Sequence, residues 1–225
     1  MAPIHMKPRD GTIDLERTAV VIIDMQRDFL LPGGFGEKLG NDVSKLTRAI
    51  QPCQKVLEAA RARNMLVIHT REGHRPSMAD VHVWKKDKHG TVPPAIGEMG
   101  PMGRILIRGE EGHDIIEELY PITGEPVVDK PGKGSFYATD LEAILQAQNI
   151  TTLLVMGVTT EVCVHTTIRE ANDRGYHCIA VSDACASFFD DFHKTALRMI
   201  TAQGGIFGSV TDSASVVAAL QAADD

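Results

Sequence analysis

The chain has 225 residues, of which 43% are hydrophobic and 24% are charged, and its formal net charge is -7. This length and composition fit one folded domain, so we assign residues 1–225 to a single domain. The acidic balance argues against binding to phosphate backbones or anionic lipid, so neither nucleic acid nor membrane is an expected partner. The sequence also lacks an apolar run of membrane-helix length and a signal-peptide core.

The four cysteines are spread along the chain without paired spacing, at positions Cys53, Cys163, Cys178 and Cys185. A domain of this size does not need disulfides for stability. The pattern therefore predicts a protein with reduced cysteines and a cytoplasmic location.

Short runs rich in Val, Ile and Leu alternate along the chain with segments in which apolar residues recur at helical spacing. The predicted strands are 18–24, 66–69, 126–130, 153–157, 177–183 and 206–210. The predicted helices are 43–63, a segment beginning at 139, 160–175, 190–203 and 212–220. This alternation predicts a three-layer, Rossmann-like α/β fold, with an open parallel sheet of about six strands and helices on both faces.

Cys163 lies just past the end of the buried strand 153–157, in the first turn of the predicted helix that follows. Unpaired N–H groups and the helix dipole favour an anion there, so the position predicts a lowered thiol pKa and a nucleophilic role. The alternative is that Cys163 is a small buried hydrophobic residue, as most cysteines are.

Asp24 and Lys130 also end predicted parallel strands, and such strand ends line one crevice of an open α/β sheet. A carboxylate can take the proton of a thiol and return it to a leaving amine, while an ammonium holds the developing negative charge. Together with Cys163 they would suit hydrolysis of a C–N amide bond. Alternatively, Asp24 caps a helix and Lys130 is a surface charge.

The long polar segment 71–112 is of the kind that covers a site or an interface. It contains Asp80, His82 and His89, which are residue types that bind zinc or iron. Because no predicted element fixes their geometry, we interpret them as solvated loop residues and expect no metal.

Three segments resemble the motifs of the isochorismatase-like cysteine hydrolases, in the same order and across nearly the whole chain. They are Ile-Ile-Asp-Met-Gln-Arg-Asp-Phe (22–29), Val-Asp-Lys-Pro-Gly-Lys-Gly-Ser-Phe (128–136) and Gly-Val-Thr-Thr-Glu-Val-Cys-Val (157–164). The resemblance implies a catalytic triad of Asp24 as general base and acid, Lys130 as its electrostatic partner, and Cys163 as nucleophile. Isochorismatase itself lacks the cysteine, so its presence points to the amide hydrolases of the family.

The same resemblance implies further features of the site. A cis peptide is expected between Val158 and Thr159, with the N–H groups of Thr159 and Cys163 forming the oxyanion hole. Substrate contacts are expected from Phe29 and Phe136. Family members of this kind need no cofactor, and the family suggests a homotetramer. The metal-binding Asp and His that nicotinamidases carry after the second strand are replaced here by Arg-Glu-Gly-His (71–74).

Within the family, the chain is most similar to the biuret and triuret hydrolases. The shared segments are His-Thr-Arg-Glu-Gly-His-Arg-Pro (69–76), Arg-Glu-Ala-Asn-Asp-Arg-Gly-Tyr (169–176) and Gln-Gly-Gly-Ile-Phe-Gly-Ser-Val (203–210). The similarity assigns Gln203 to substrate binding and implies a small uncharged ureide substrate, biuret or triuret, cleaved with release of ammonia. Alternatives are ureidoacrylate or an N-carbamoyl amine as substrate, or a non-catalytic or isochorismatase-type interaction module.

Overall fold

The computed structural model describes residues 1–86 and 96–222. The strands are β1 (Ala2–Ile4), β2 (Gly11–Ile13), β3 (Thr18–Ile23), β4 (Leu66–Glu72), β5 (Met99–Gly100), β6 (Gly103–Arg104), β7 (Val127–Lys130), β8 (Thr152–Val158), β9 (His177–Ala186) and β10 (Ser209–Thr211). The α-helices are α1 (Arg27–Leu30), α2 (Phe35–Lys38), α3 (Ser44–Thr47), α4 (Ile50–Ala62), α5 (Val83–Lys86), α6 (Leu141–Ala147), α7 (His165–Asp173), α8 (Asp190–Gly205) and α9 (Ser213–Ala222). Single 3-10 turns cover Leu15–Arg17 and Glu117–Leu119, and a π-helical turn covers Thr160–Val164.

Six of these strands form one parallel sheet in the order β10-β9-β8-β3-β4-β7, with helices on both of its faces. The predicted fold class is thereby confirmed. Every residue of the central strand β3 is buried, as expected for a strand covered by helices on both sides. Because the strands are parallel, β3, β4, β7 and β8 all end at one edge of the sheet, and that edge holds the site described below.

Strand β4 is longer than the sequence pattern indicates, since it continues through three polar residues to Glu72. Those residues pair with β7, where Arg71 lies opposite Asp129 and Glu72 opposite Lys130. The guanidinium of Arg71 donates to Asp129 from Nε at 2.8 Å and from Nη2 at 3.2 Å. Opposite charges on neighbouring strands thus replace apolar packing and keep the polar end of β4 in the sheet.

The predicted helix 43–63 is in fact two helices, α3 and α4, and Pro52 lies in the first turn of α4. A proline is tolerated there because the first-turn N–H groups have no partner within the helix. Among the described residues, no helix is both long enough and apolar enough to cross a membrane.

A partly buried ionic cluster joins α4, β4 and the turn before β7. Arg61 donates from Nε and Nη2 to the two carboxylate oxygens of Glu125 at 2.7 and 2.8 Å, and His69 Nε2 lies 2.8 Å from Oε2. Burial alone would raise the pKa of Glu125, but the hydrogen bonds from Arg61 and His69 outweigh burial and lower that pKa to about 2. The cluster should therefore stabilise the fold only while Glu125 is ionised.

We expect Glu125→Gln to lower the free energy of unfolding by about 1–3 kcal/mol at neutral pH, because it removes a charged hydrogen-bond acceptor. The folded-state pKa of Glu125 lies below its unfolded value, so this stabilisation is complete above the unfolded pKa of 4.5 and is lost as the pH falls toward 2. Urea unfolding at several pH values measures the difference between the two proteins. The exposed Glu118 supplies the control Glu118→Gln. A difference that persists unchanged at acid pH would contradict the assignment.

Candidate active site

Asp24 follows the last residue of β3 and is fully buried. Its backbone has a left-handed φ of 50°, which turns the chain sharply at the end of the strand. Thr70 of β4 holds the carboxylate, since its hydroxyl donates to Asp24 Oδ1 at 2.7 Å while the Asp24 N–H donates back to that hydroxyl at 3.2 Å. These contacts leave Oδ2 for the other members of the site.

Lys130 ends β7 and is also fully buried, an unusual state for a lysine. Its Nζ lies 2.7 Å from Asp24 Oδ2 and donates to the carbonyls of Gly132 and Lys133 at 3.0 Å each. Those three acceptors match the three N–H groups of the ammonium. Burial would lower the pKa of Lys130, but the charge of Asp24 outweighs it and raises that pKa, so the lysine is a fixed positive charge.

Cys163 lies in the π-helical turn between β8 and α7, and only 4% of the residue is exposed. The peptide bond between Val158 and Thr159, at the start of this turn, is cis. The Sγ atom, one carboxylate oxygen of Asp24 and one of Glu72 all lie within 4.8 Å of one another. The structure therefore brings Asp24, Lys130 and Cys163 together at one edge of the sheet. The oxyanion role of the Thr159 and Cys163 N–H groups stays a prediction.

The sequence-based expectation of a lowered thiol pKa is wrong. Burial raises the pKa of Cys163 well above its usual value, and the nearby carboxylate of Asp24 raises it further, while Lys130 offsets only part of this effect. The resting residue is therefore a neutral thiol. It needs a proton acceptor at the moment of attack, and the carboxylate of Asp24 beside it can supply one.

Two further charged residues complete the site. Glu72, the last residue of β4, is fully buried and accepts a hydrogen bond from the Cys163 thiol at 3.6 Å. Its other oxygen pairs with Lys133 Nζ at 2.6 Å. The side chain of Gln26 fixes the backbone of Glu72, accepting from its N–H at 2.7 Å and donating to its carbonyl at 3.0 Å. The predicted strand 66–69 stops three residues before the end of β4. A prediction that extended to residue 72 would have identified Glu72 as another polar residue at the carboxyl edge of the sheet.

The two predicted substrate-binding phenylalanines have different surroundings. Phe29 is buried on α1, shortly after Asp24, and packs edge-to-face on Phe35 at a centroid distance of 5.9 Å. Its contact with substrate stays a prediction. The ring of Phe136 stacks on Tyr176 at 5.9 Å and lies 5.0 Å from the guanidinium carbon of Arg174. These neighbours pack Phe136 near the end of α7, and its contact with substrate likewise stays a prediction.

Gln203 lies at the end of α8, the helix that connects β9 to β10. Helix α8 begins beside the Cys163 turn, where Thr160 Oγ1 lies 2.8 Å from His193 Nδ1, and runs toward the opposite edge of the sheet. Just after the helix, Gly208 approaches the carbonyl of Cys178, at the start of β9, so closely that a Cβ would collide with it. Gln203, in a left-handed conformation with φ 52°, is exposed near that far edge. The substrate contact of Gln203 stays a prediction.

The loop residues considered for metal binding do not converge in the part of the chain that the structure describes. Asp80 accepts a hydrogen bond from the Arg75 N–H at 3.0 Å, His82 is exposed, and His89 lies outside the described residues. The described residues do hold one group with metal-ligand spacing, namely Asp24, Glu72 and Cys163. However, Lys130 and Lys133 already neutralise its two carboxylates, which disfavours a dication there.

Comparison with known proteins agrees with this geometry. The isochorismatase domain model matches residues 18–215. A cysteine hydrolase from Pseudomonas syringae pv. phaseolicola 1448A is 29% identical with a TM-score of 0.77, and the match covers 99% of both chains. An N-carbamoylsarcosine amidase from Thermoplasma acidophilum is 25% identical with a TM-score of 0.67, over 88% of this chain and 96% of the other. Since the domain model spans most of the sequence, and the thiol lies beside the Asp24–Lys130 pair, the chain belongs to the isochorismatase family as one of its cysteine hydrolases.

Proposed function

We propose that the protein is an amidohydrolase that cleaves a C–N bond of a small ureide, biuret or triuret, and releases ammonia through an acyl-cysteine intermediate. One observation carries the proposal. A buried neutral thiol lies within 4.8 Å of a carboxylate oxygen of Asp24, and that carboxylate is paired with a buried lysine. This arrangement provides a nucleophile, a proton acceptor and a fixed positive charge in a site nearly closed to water.

In the first half of the reaction, Cys163 Sγ attacks the carbonyl carbon while its proton passes to Asp24. The positive charge of Lys130 stabilises the negative charge that develops in the site during this attack. The Thr159 and Cys163 N–H groups donate hydrogen bonds to the oxyanion. As the tetrahedral intermediate collapses, Asp24 returns the proton to the departing nitrogen and the C–N bond breaks. With a terminal amide of biuret, ammonia leaves and an allophanyl thioester stays on Cys163.

In the second half, water attacks the thioester carbon and gives a proton to Asp24. The C–S bond breaks, and the proton returns to the sulfur. The sum is biuret plus water giving allophanate plus ammonia, so the enzyme regains its starting state without a redox step. The proton transfers in these steps are all accounted for by Cys163, Asp24 and water.

Support for a ureide comes from the segments 69–76, 169–176 and 203–210, which resemble those of biuret and triuret hydrolases. The structural similarity to an N-carbamoylsarcosine amidase favours a second candidate, an N-carbamoyl amine. Both candidates contain a carbamoyl group bonded to nitrogen. The two candidates differ in the chemical group that is attached to that nitrogen.

Ammonia release from biuret, triuret, ureidoacrylate, nicotinamide and N-carbamoylsarcosine tests the proposal directly. We expect the highest kcat/KM for biuret or triuret. A clear preference for N-carbamoylsarcosine would select the second candidate. Failure to hydrolyse any member of the panel would refute the amidohydrolase assignment and favour a non-catalytic module.

We expect chelation by EDTA to leave turnover unchanged, because ammonium groups already occupy the positions next to the site carboxylates. The measurement is kcat before and after dialysis against the chelator, followed by addition of zinc or iron. Loss of activity that one of these metals restores would contradict the expectation and would support metal binding by Asp80 and His82.

A further inference from the structure

Glu72 is a buried carboxylate that the catalytic steps above do not use. It has no exposed surface, and one of its oxygens accepts a hydrogen bond from the Cys163 thiol at 3.6 Å. The side chain of Gln26 hydrogen-bonds to both the N–H and the carbonyl of Glu72, and these two bonds hold Glu72 at the end of β4. A charged acceptor is therefore held in place directly beside the nucleophile.

Glu72 is poorly suited to be a second general base. Burial would raise the pKa of its carboxyl, but the ammonium groups of Lys133 and Lys130 outweigh burial and hold that pKa below its usual value. A carboxylate with a low pKa accepts hydrogen bonds well but retains a proton poorly. Its chemistry therefore suits recognition of an N–H group.

The geometry of acyl transfer indicates which N–H this would be. A carbonyl carbon has three substituents, and attack by sulfur directs the oxygen to the oxyanion hole and the leaving nitrogen to Asp24, which must protonate it. The third substituent, on the acyl side, is retained in the thioester. Within residues 1–86 and 96–222, the other carboxylate that has an oxygen within 4.8 Å of Sγ is that of Glu72.

We propose that Glu72 is a specificity-determining residue that accepts a hydrogen bond from an N–H on the acyl side of the scissile amide. The inference rests on the proposed function and narrows it, since the preferred substrates are those with nitrogen on both sides of the attacked carbonyl. A hydrocarbon acyl group leaves the buried carboxylate of Glu72 without its partner, and an acyl-side carboxylate is repelled by it.

Biuret and malonamide provide a matched pair of substrates for the test. They have nearly the same shape, and malonamide carries a methylene group where biuret has its bridging N–H. The ratio of kcat/KM for biuret to that for malonamide is measured in the wild type, Glu72→Gln and Glu72→Leu. Comparing this ratio between proteins cancels the different intrinsic reactivity of the two amides. If malonamide turns over too slowly, its inhibition constant replaces kcat/KM.

We expect Glu72→Leu to lower the ratio by roughly 10- to 100-fold, as for loss of a hydrogen bond to a charged group. Glu72→Gln should lower it less, because the amide oxygen still accepts a hydrogen bond. Equal losses on both substrates would overturn the proposal and assign Glu72 a structural role. If Glu72→Leu does not fold, as judged by circular dichroism, the isosteric Glu72→Gln decides, and an unchanged ratio in that variant overturns the proposal. A wild-type protein inactive on every ureide would instead refute the proposed function, so the two failures are distinguishable.

Discussion

Cys163→Ser should reduce ammonia release by at least about 1,000-fold while the protein remains folded. A hydroxyl is far less acidic than a thiol, and the acceptor beside Cys163 is a carboxylate, which is too weak a base to activate a serine near neutral pH. The thiol makes one 3.6 Å hydrogen bond, to Glu72, which a hydroxyl can also make, so the fold should persist. Steady-state ammonia release measures turnover, and thermal unfolding followed by circular dichroism measures stability.

The matched control is Cys178→Ser. Cys178 is equally buried, and its thiol contacts the carbonyls of Ile168 and Tyr176 at 3.7 and 3.8 Å, away from the nucleophile. This variant should lose some stability and keep its turnover. If Cys163→Ser retained more than a few per cent of wild-type activity, the covalent mechanism would be untenable.

Asp24→Asn should lower kcat by about 100- to 10,000-fold, the usual contribution of a positioned proton-transfer group. The effect should be strong because the thiol pKa is raised, so little thiolate exists unless Asp24 removes the proton. The substitution also leaves the buried Lys130 without its anionic partner. Such a change typically costs about 3–5 kcal/mol of stability, and urea unfolding should reveal it.

Asp28→Asn separates the two effects of the Asp24 substitution. Asp28 is also buried, and its Oδ2 accepts from the Leu106 N–H at 2.9 Å, so it anchors the segment before β7 rather than the thiol. We expect Asp28→Asn to lower stability with little change in kcat. A stable, active Asp24→Asn protein would show that another group accepts the thiol proton.

The sequence predicted the sheet and the positions of the triad because both depend on a local pattern. Buried parallel strands are short apolar runs, and the residues that follow them meet at one edge whatever the details of packing. Asp24, Lys130 and Cys163 were therefore identifiable from their place after such runs.

Features that depend on long-range contacts are harder to predict from the sequence. Glu72 was overlooked as a site residue because β4 becomes polar at Thr70, and only pairing with β7 keeps that part in the sheet. The raised pKa of Cys163 reflects burial by distant segments, which a helix start alone does not reveal. The conformation of Gln203 is a further example, since its left-handed φ of 52° at the kinked end of α8 is not indicated by the helical pattern.

The neutral state of Cys163 bears on how the protein withstands oxidants. Peroxides and alkylating reagents attack thiolates much faster than thiols, so a cysteine that is deprotonated at rest is readily converted to sulfenic acid and beyond. Here the thiol is buried and its pKa is raised, so little thiolate is present in the resting protein. Between turnovers, the burial that makes the nucleophile dependent on Asp24 therefore also shields it from oxidative inactivation.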